Sequence, residues 1–112
     1  MKEHELQNAV AHEMRSQGWV TVRVNSSKQK INGRWQSAYH IFGLKTPNSG
    51  LNDLIGFRDN KCLLIEVKRD EKQKLRKTQE DCKVHFERHG NTYHVVSSIS
   101  DIQLILEEQN VI

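Results

Sequence analysis

The stretch "LNDLIGFRDNKCLLIEVKRD", residues 51–70, decides how the chain folds. Within it, "DLIGFR" and "KCLLIEVK" are rich in apolar residues and are separated by Asp59 and Asn60, two residue types suited to a tight turn. A β-hairpin is expected. With a two-residue turn Arg58 pairs with Lys61, and the same register sets Asp53 opposite Glu66. Strand side chains alternate, so Asp53, Ile55, Phe57, Cys62, Leu64, Glu66 and Lys68 share one face, and Leu54, Gly56, Leu63, Ile65 and Val67 share the other. Both faces are apolar, which places the hairpin in the middle of a sheet covered by helices, with a charged trio at one end of one face. Unpaired charges in such a place cost several kcal/mol. A bound cation is the natural compensation.

Outward from the hairpin, Leu6, Ala9, Val10 and Met14 repeat at helical spacing between Lys2 and Gln17, and Gly18 follows as a C-terminal stop. "WVTVRVN", 19–25, alternates Val20, Val22 and Val24 with polar residues, the pattern of a half-buried strand. Residues 26–50 are polar and irregular, with a weak hairpin or extended stretch at 34–44 and turn chemistry in "TPNSG". Beyond the central hairpin, Thr78 and Asp81 have capping-box spacing for a helix that begins near Thr78 and ends before Gly90, with Leu75, Gln79, Cys82 and Phe86 facing inward. "TYHVVSS" reads as a fourth strand and "SDIQLILEEQ" as a last helix capped by Ser100. The expected order is αβββαβα, an α/β fold with a mixed central sheet.

Length and composition fit one globular domain over residues 1–112. The N-terminus has no apolar signal core and no run approaches the ~20 apolar residues of a membrane helix, so a cytoplasmic protein is the default expectation. Cys62 and Cys82 are too few for a disulfide framework and are read as reduced core residues. The six His show no zinc spacing, and the His85/His89 pair is read as a solvated helix surface. Seventeen Lys and Arg against fourteen Asp and Glu hint at an anionic partner. Lys28, Lys30 and Arg34 lie beside Trp35, and "KRDEKQKLRK" at 68–77 holds six basic residues; both stretches suit phosphates, with solvated charge as the commoner alternative.

Two opposed carboxylates repel unless something positive lies between them, and hard oxygen ligands suit Mg²⁺ or Mn²⁺ better than zinc. The main-chain carbonyl of Val67 is a further candidate ligand. Lys68, two residues after Glu66, projects beside the same point, where orienting a water or stabilising charge on phosphorus ranks above acting as a base. A Glu and a Lys two apart would alone be mostly noise. The linkage of Asp53 at the start of one strand to Glu66 and Lys68 at the end of its partner raises the signal.

That linkage, Gly50-Leu51-Asn52-Asp53 followed after twelve residues by Glu66-Val67-Lys68, resembles the PD-(D/E)XK nuclease superfamily, whose core order is αβββαβ. More narrowly, "ELQNAV", "RVN", "GLNDLIGF", "LLIEVKRDEKQKLRKTQ" and "HGNTYHVV" are similar to the VRR-NUC family, the virus-type replication-repair nucleases. The resemblance implies metal-dependent cleavage of DNA, with Asp53 and Glu66 as metal-binding acids, Lys68 as the catalytic lysine, and Gln79 supporting the site from the following helix, with a helix-cap neighbour as the alternative for Gln79. It also implies an acidic residue of the first helix near the site, Glu3 or, one alignment slip away, Glu5. Asn52 departs from the Pro common before the Asp, a difference of backbone shape. Free-standing minimal members resemble phage-type homodimers that cut four-way junctions, so a Holliday-junction resolvase acting on branched or double-stranded DNA is expected, without a small-molecule cofactor or a membrane. Candidate DNA contacts are Arg23, Lys28, Lys30, Arg34, Lys45 and Arg69, with Trp35 a candidate for stacking at a branch or for a core or dimer contact. The competing expectations are a flap-specific or restriction-like endonuclease and a catalytically silent DNA-binding module.

Overall fold

A computed structural model describes residues 2–24, 29–36 and 39–110. In chain order the elements are α1 (Glu3–Ser16), β1 (Val20–Arg23), β2 (Gln29–Ile31), β3 (Arg34–Gln36), β4 (Leu54–Arg58), β5 (Lys61–Val67), α2 (Lys77–Arg88), β6 (Thr92–Val96) and α3 (Ile99–Gln109). The main sheet runs β1-β4-β5-β6 and is mixed: β1, β4 and β5 pair antiparallel, whereas β6 joins β5 in parallel through the α2 crossover. The central hairpin forms in the expected register, Arg58 against Lys61 and Leu54 against Ile65. Asp59 and Asn60 take the positive φ angles, 49° and 65°, that such a turn requires.

On one face of the sheet α1 and α3 bury Leu6, Val10, Met14, Ile102 and Leu106 against Leu54, Leu63, Ile65, Val67 and Val96. Gly56 permits this closeness, since a β-carbon there would come within 2.5 Å of the Met14 methyl. Arg58 lies over the buried Trp19 ring, 4.7 Å from its centroid, and donates to the Gln17 carbonyl and to Asn110 Oδ1, tying the ends of both helices to β4. The second face is covered only in part. There α2 shields β5, whose residues from Leu63 to Val67 are all buried, but Ile55 is half-buried and Phe57 is 46% exposed. Hence only β5 is the doubly buried strand expected of both.

Other expectations need correction. Val20 and Val22 pair with Phe57 and Ile55, so the alternating valines of β1 face the uncovered part of the sheet and are exposed. The hairpin expected within 34–44 lies earlier, at 29–36, where Asn32 and Gly33 make the turn; "NG" was the legible signal. The last helix is capped by Ser98, whose Oγ accepts from Asp101 N, rather than by Ser100, which lies in its first turn. Cys62 is half-buried rather than a core residue, whereas Cys82 on α2 is fully buried, as expected. Among the described residues no helix is long and apolar enough to cross a membrane.

Candidate active site

Asp53 sits just before β4 and is held by the sheet on both sides. Its N–H donates to the Ile65 carbonyl at 3.1 Å and its carbonyl accepts from Val24 N–H at 2.8 Å. Its side chain crosses to β5, where Oδ2 accepts from the Val67 N–H at 2.8 Å. Glu66, on the same strand as Val67, is only 3% exposed, and Lys68 only 5%. Lys68 Nζ lies 3.3 Å from Glu66 Oε2. The expected trio therefore converges at one end of the β4–β5 pair.

Burial, reinforced by the neighbouring Asp53 carboxylate, pushes the Glu66 carboxyl up to about 8. Asp53 is also raised, because its burial outweighs the Val67 N–H that favours its charged form. Lys68 favours ionisation of both acids without overcoming the burial. Two carboxylates thus share a cleft that admits their full negative charge poorly.

Gln79 closes the arrangement from α2. Its Oε1 accepts from Lys68 Nζ at 3.0 Å and from the Arg76 backbone N–H at 2.9 Å, while its Nε2 donates to Glu66 Oε2 at 2.6 Å. The capping expectation for α2 is corrected by the same bonds: the helix is capped at Arg76, and Gln79 is the residue that reaches back. Thr78 instead meets Ser49 Oγ at 3.2 Å, and Asp81 pairs with Lys77. Gly50, at φ +90°, lies so close to this helix start that a β-carbon would stand 2.1 Å from the Thr78 carbonyl oxygen. Asn52 is fully buried and donates from Nδ2 to the Leu54 carbonyl, a hydrogen bond that fixes the backbone on either side of Asp53.

Together these groups border a cleft of about 370 Å³ whose walls include Glu3, Leu51, Gln73, Lys74 and Arg76. The donors suit a hard divalent cation. Glu66 Oε1 is buried without a hydrogen-bond partner among the described residues, and Asp53 offers a second carboxylate. Mg²⁺ typically accepts one or two carboxylates and completes its shell with water. Among the described residues no three His, Cys, Asp or Glu side chains come together, so Glu3 borders the cleft without joining the carboxylate pair. Glu5 accepts from the Lys2 N–H at the start of α1.

The expected DNA-contact residues divide. Lys30, Arg34 and Lys45 are exposed, while Arg23 donates to Asn8 Oδ1 and so braces β1 against α1. Lys28 lies outside the described residues. Arg69 faces its neighbour Asp70 and borders a separate cavity with Ser97, Ser98 and Asp101. Lys74 and Arg76 border the Asp53–Glu66 cleft in its place. The basic run at 68–77 signalled them collectively, but it is irregular chain before α2, where periodicity says nothing about direction.

No protein-family model and no curated protein sequence matches the chain. Solved structures do. One described as a VRR_NUC domain superposes with a TM-score of 0.66 at 22% identity, covering 94% of each chain. Another, a VRR_NUC domain protein, gives 0.56 at 22% identity over 96% of this chain and 86% of its own. With its mixed sheet, its crossover through α2 and this coverage, the chain has the fold of the VRR_NUC domain.

Proposed function

We propose that the chain is a VRR-NUC nuclease domain spanning residues 1–112, which hydrolyses phosphodiester bonds in DNA with the help of Mg²⁺ or Mn²⁺. One observation carries this reading: the half-buried Asp53 and buried Glu66 carboxyls face one cleft with Lys68 and Gln79, and Glu66 Oε1 is left without a hydrogen-bond donor among the described residues. Asp53, Glu66 and the Val67 carbonyl would hold the cation, with Glu3 reaching it through water. When bound, the cation supplies charge neutralisation at the phosphate and acidifies water. In hydrolysis a water oxygen forms a bond to phosphorus, the bond to one ester oxygen breaks, and the departing oxygen takes up a proton. The Lys68 ammonium orients the water and opposes the charge that develops on the phosphate oxygens. Gln79 holds that ammonium in place. Lys74 and Arg76, on the cleft wall, receive the flanking phosphates.

Within that chemistry the reading extends to a homodimeric Holliday-junction resolvase, a cytoplasmic enzyme of repair, recombination or phage genome processing. The exposed stripe of Val20, Val22 and Phe57 on one sheet face supports a contact with a second copy. Purified protein and its Asp53→Asn variant, incubated with a labelled immobile four-way junction, a flap and plain duplex in Mg²⁺, Mn²⁺ or chelator, test both levels. Symmetric metal-dependent cuts confined to the junction, and abolished in the variant, are expected. Cutting of flap or duplex instead would keep the nuclease and discard the resolvase. Wild-type protein that binds DNA yet is inert with every metal would reduce the trio to structural ion pairing.

A further inference from the structure

Between Glu13 and Asp53 the chain contains six Lys and Arg and not one Asp or Glu, although the whole carries 17 and 14. The remaining residues are therefore net negative by three. At the centre of this acid-free stretch lies the β2–β3 ribbon, which packs against no other helix or strand among the described residues. Its register places Lys30 directly opposite Trp35, so the two share one face. Trp35 is 69% exposed, which removes the core role that the sequence left open. An isolated two-stranded ribbon is marginal in water, and an exposed indole leaves roughly 150–250 Å² of largely apolar surface without cover. Such an element is completed by a partner.

Its charge selects the partner. A two-fold contact between ribbons would bring like charges together without an acidic residue to relieve them. A polyanion with flat, stackable faces fits instead. We infer that the β2–β3 ribbon is a substrate-reading finger, in which Trp35 stacks on a base left exposed at a DNA branch while Lys30 on the same face, and Arg34 from the other face of the ribbon, take the adjoining phosphates. The inference rests on the nuclease reading for its purpose. It assigns branch preference to the ribbon rather than to the catalytic cleft, because fully paired duplex hides its base faces and a junction or flap does not.

The chain's two tryptophans make the test direct, since Trp19 is 2% exposed and only Trp35 meets solvent. Asp53→Asn protein in chelator, where no cutting occurs, is titrated with four-way junction and with duplex while tryptophan emission and the anisotropy of labelled DNA are followed in parallel. Junction binding should quench the Trp35 emission and shield it from iodide. Trp35→Ala should weaken junction binding about five- to a hundredfold, as expected for one lost base–aromatic stack, and Trp35→Phe should restore most of it. Lys30→Ala and Arg34→Ala should each lower the salt dependence of binding by roughly 0.7–0.9 in log–log slope. Junction binding without quenching, or equal binding by Trp35→Ala, overturns the inference. So does Trp35 shielded from iodide in the free protein together with a Trp35→Ala change in sedimentation, because the ribbon then meets a second copy. Cleavage in Mg²⁺ is scored separately. Wild-type cutting without stacking would leave the nuclease and sink the finger, and stacking without wild-type cutting would do the reverse.

Discussion

Gln79 is saturated at its carbonyl and uses its amide on Glu66, so one side chain both caps α2 and locks the acid to the lysine. The sequence left a choice between a cap role and a site role. In the structure one amide makes both the cap bond and the bonds to Glu66 and Lys68, so removing either would disturb both. Beside it, Glu66 provides a pH test of the site. Burial, with the Asp53 carboxylate beside it, pushes its carboxyl up to about 8 in the folded protein from the ordinary 4.5, so the folded form keeps a proton that the unfolded form has lost between those values. Since the folded state binds more protons there, this group's contribution to stability falls as pH rises from about 4.5 to about 8 and is level above. Asp53, also raised, acts in the same direction. Urea denaturation of metal-free protein across that window should therefore show a decline that Glu66→Gln flattens, and Mg²⁺ should flatten it for wild type by stabilising the ionised pair. An equal slope in both proteins would mean that Glu66 is not the group held protonated.

At the scale of elements, the start of α2 is positioned from outside the helix. Gly50 meets the Thr78 and Gln79 backbone so closely that even a methyl cannot enter, and its φ of +90° disfavours any other residue. Gly50→Ala should cost roughly 1–3 kcal/mol in urea denaturation and, by displacing Gln79, lower single-turnover cleavage by about 10–100-fold. Loss of stability with unchanged cleavage would detach the loop from the chemistry. The same contact explains why the cap was misread: spacing offered Thr78 and Asp81, but Ser49 occupies the Thr78 hydroxyl from 29 residues away. By contrast, the register of the β4–β5 hairpin was legible, because a two-residue turn and a two-residue period fix register locally. The trio followed from that register. Lys74 and Arg76 did not, since no period governs the chain between Lys68 and α2.

At the scale of the molecule, the sheet is covered unevenly. Alternation identified the apolar side of β1 but could not reveal that α2 stops short of it, leaving Val20, Val22 and Phe57 in water. These residues lie on the same sheet face as Asp53 and Glu66, so a second copy docking there along a two-fold axis would bring two Asp53–Glu66 clefts to one side of the pair. Three side chains fall well short of the roughly 800 Å² per partner typical of a stable interface, but β1 is also an edge strand, and its outer side, unpaired among the described residues, adds backbone bonds to the apolar contact. A charge at the centre of the stripe should then separate the copies without reaching the core. Phe57→Glu is expected to sediment as a monomer where wild type is a dimer, and to convert paired junction incisions into single nicks while its metal requirement persists. Because Phe57 is 46% exposed, thermal unfolding of the monomeric variant should stay cooperative, which separates lost association from lost folding. Dimers that survive the substitution would move the interface elsewhere, and paired cuts by a proven monomer would show that two-fold symmetry is not how this chain resolves a junction.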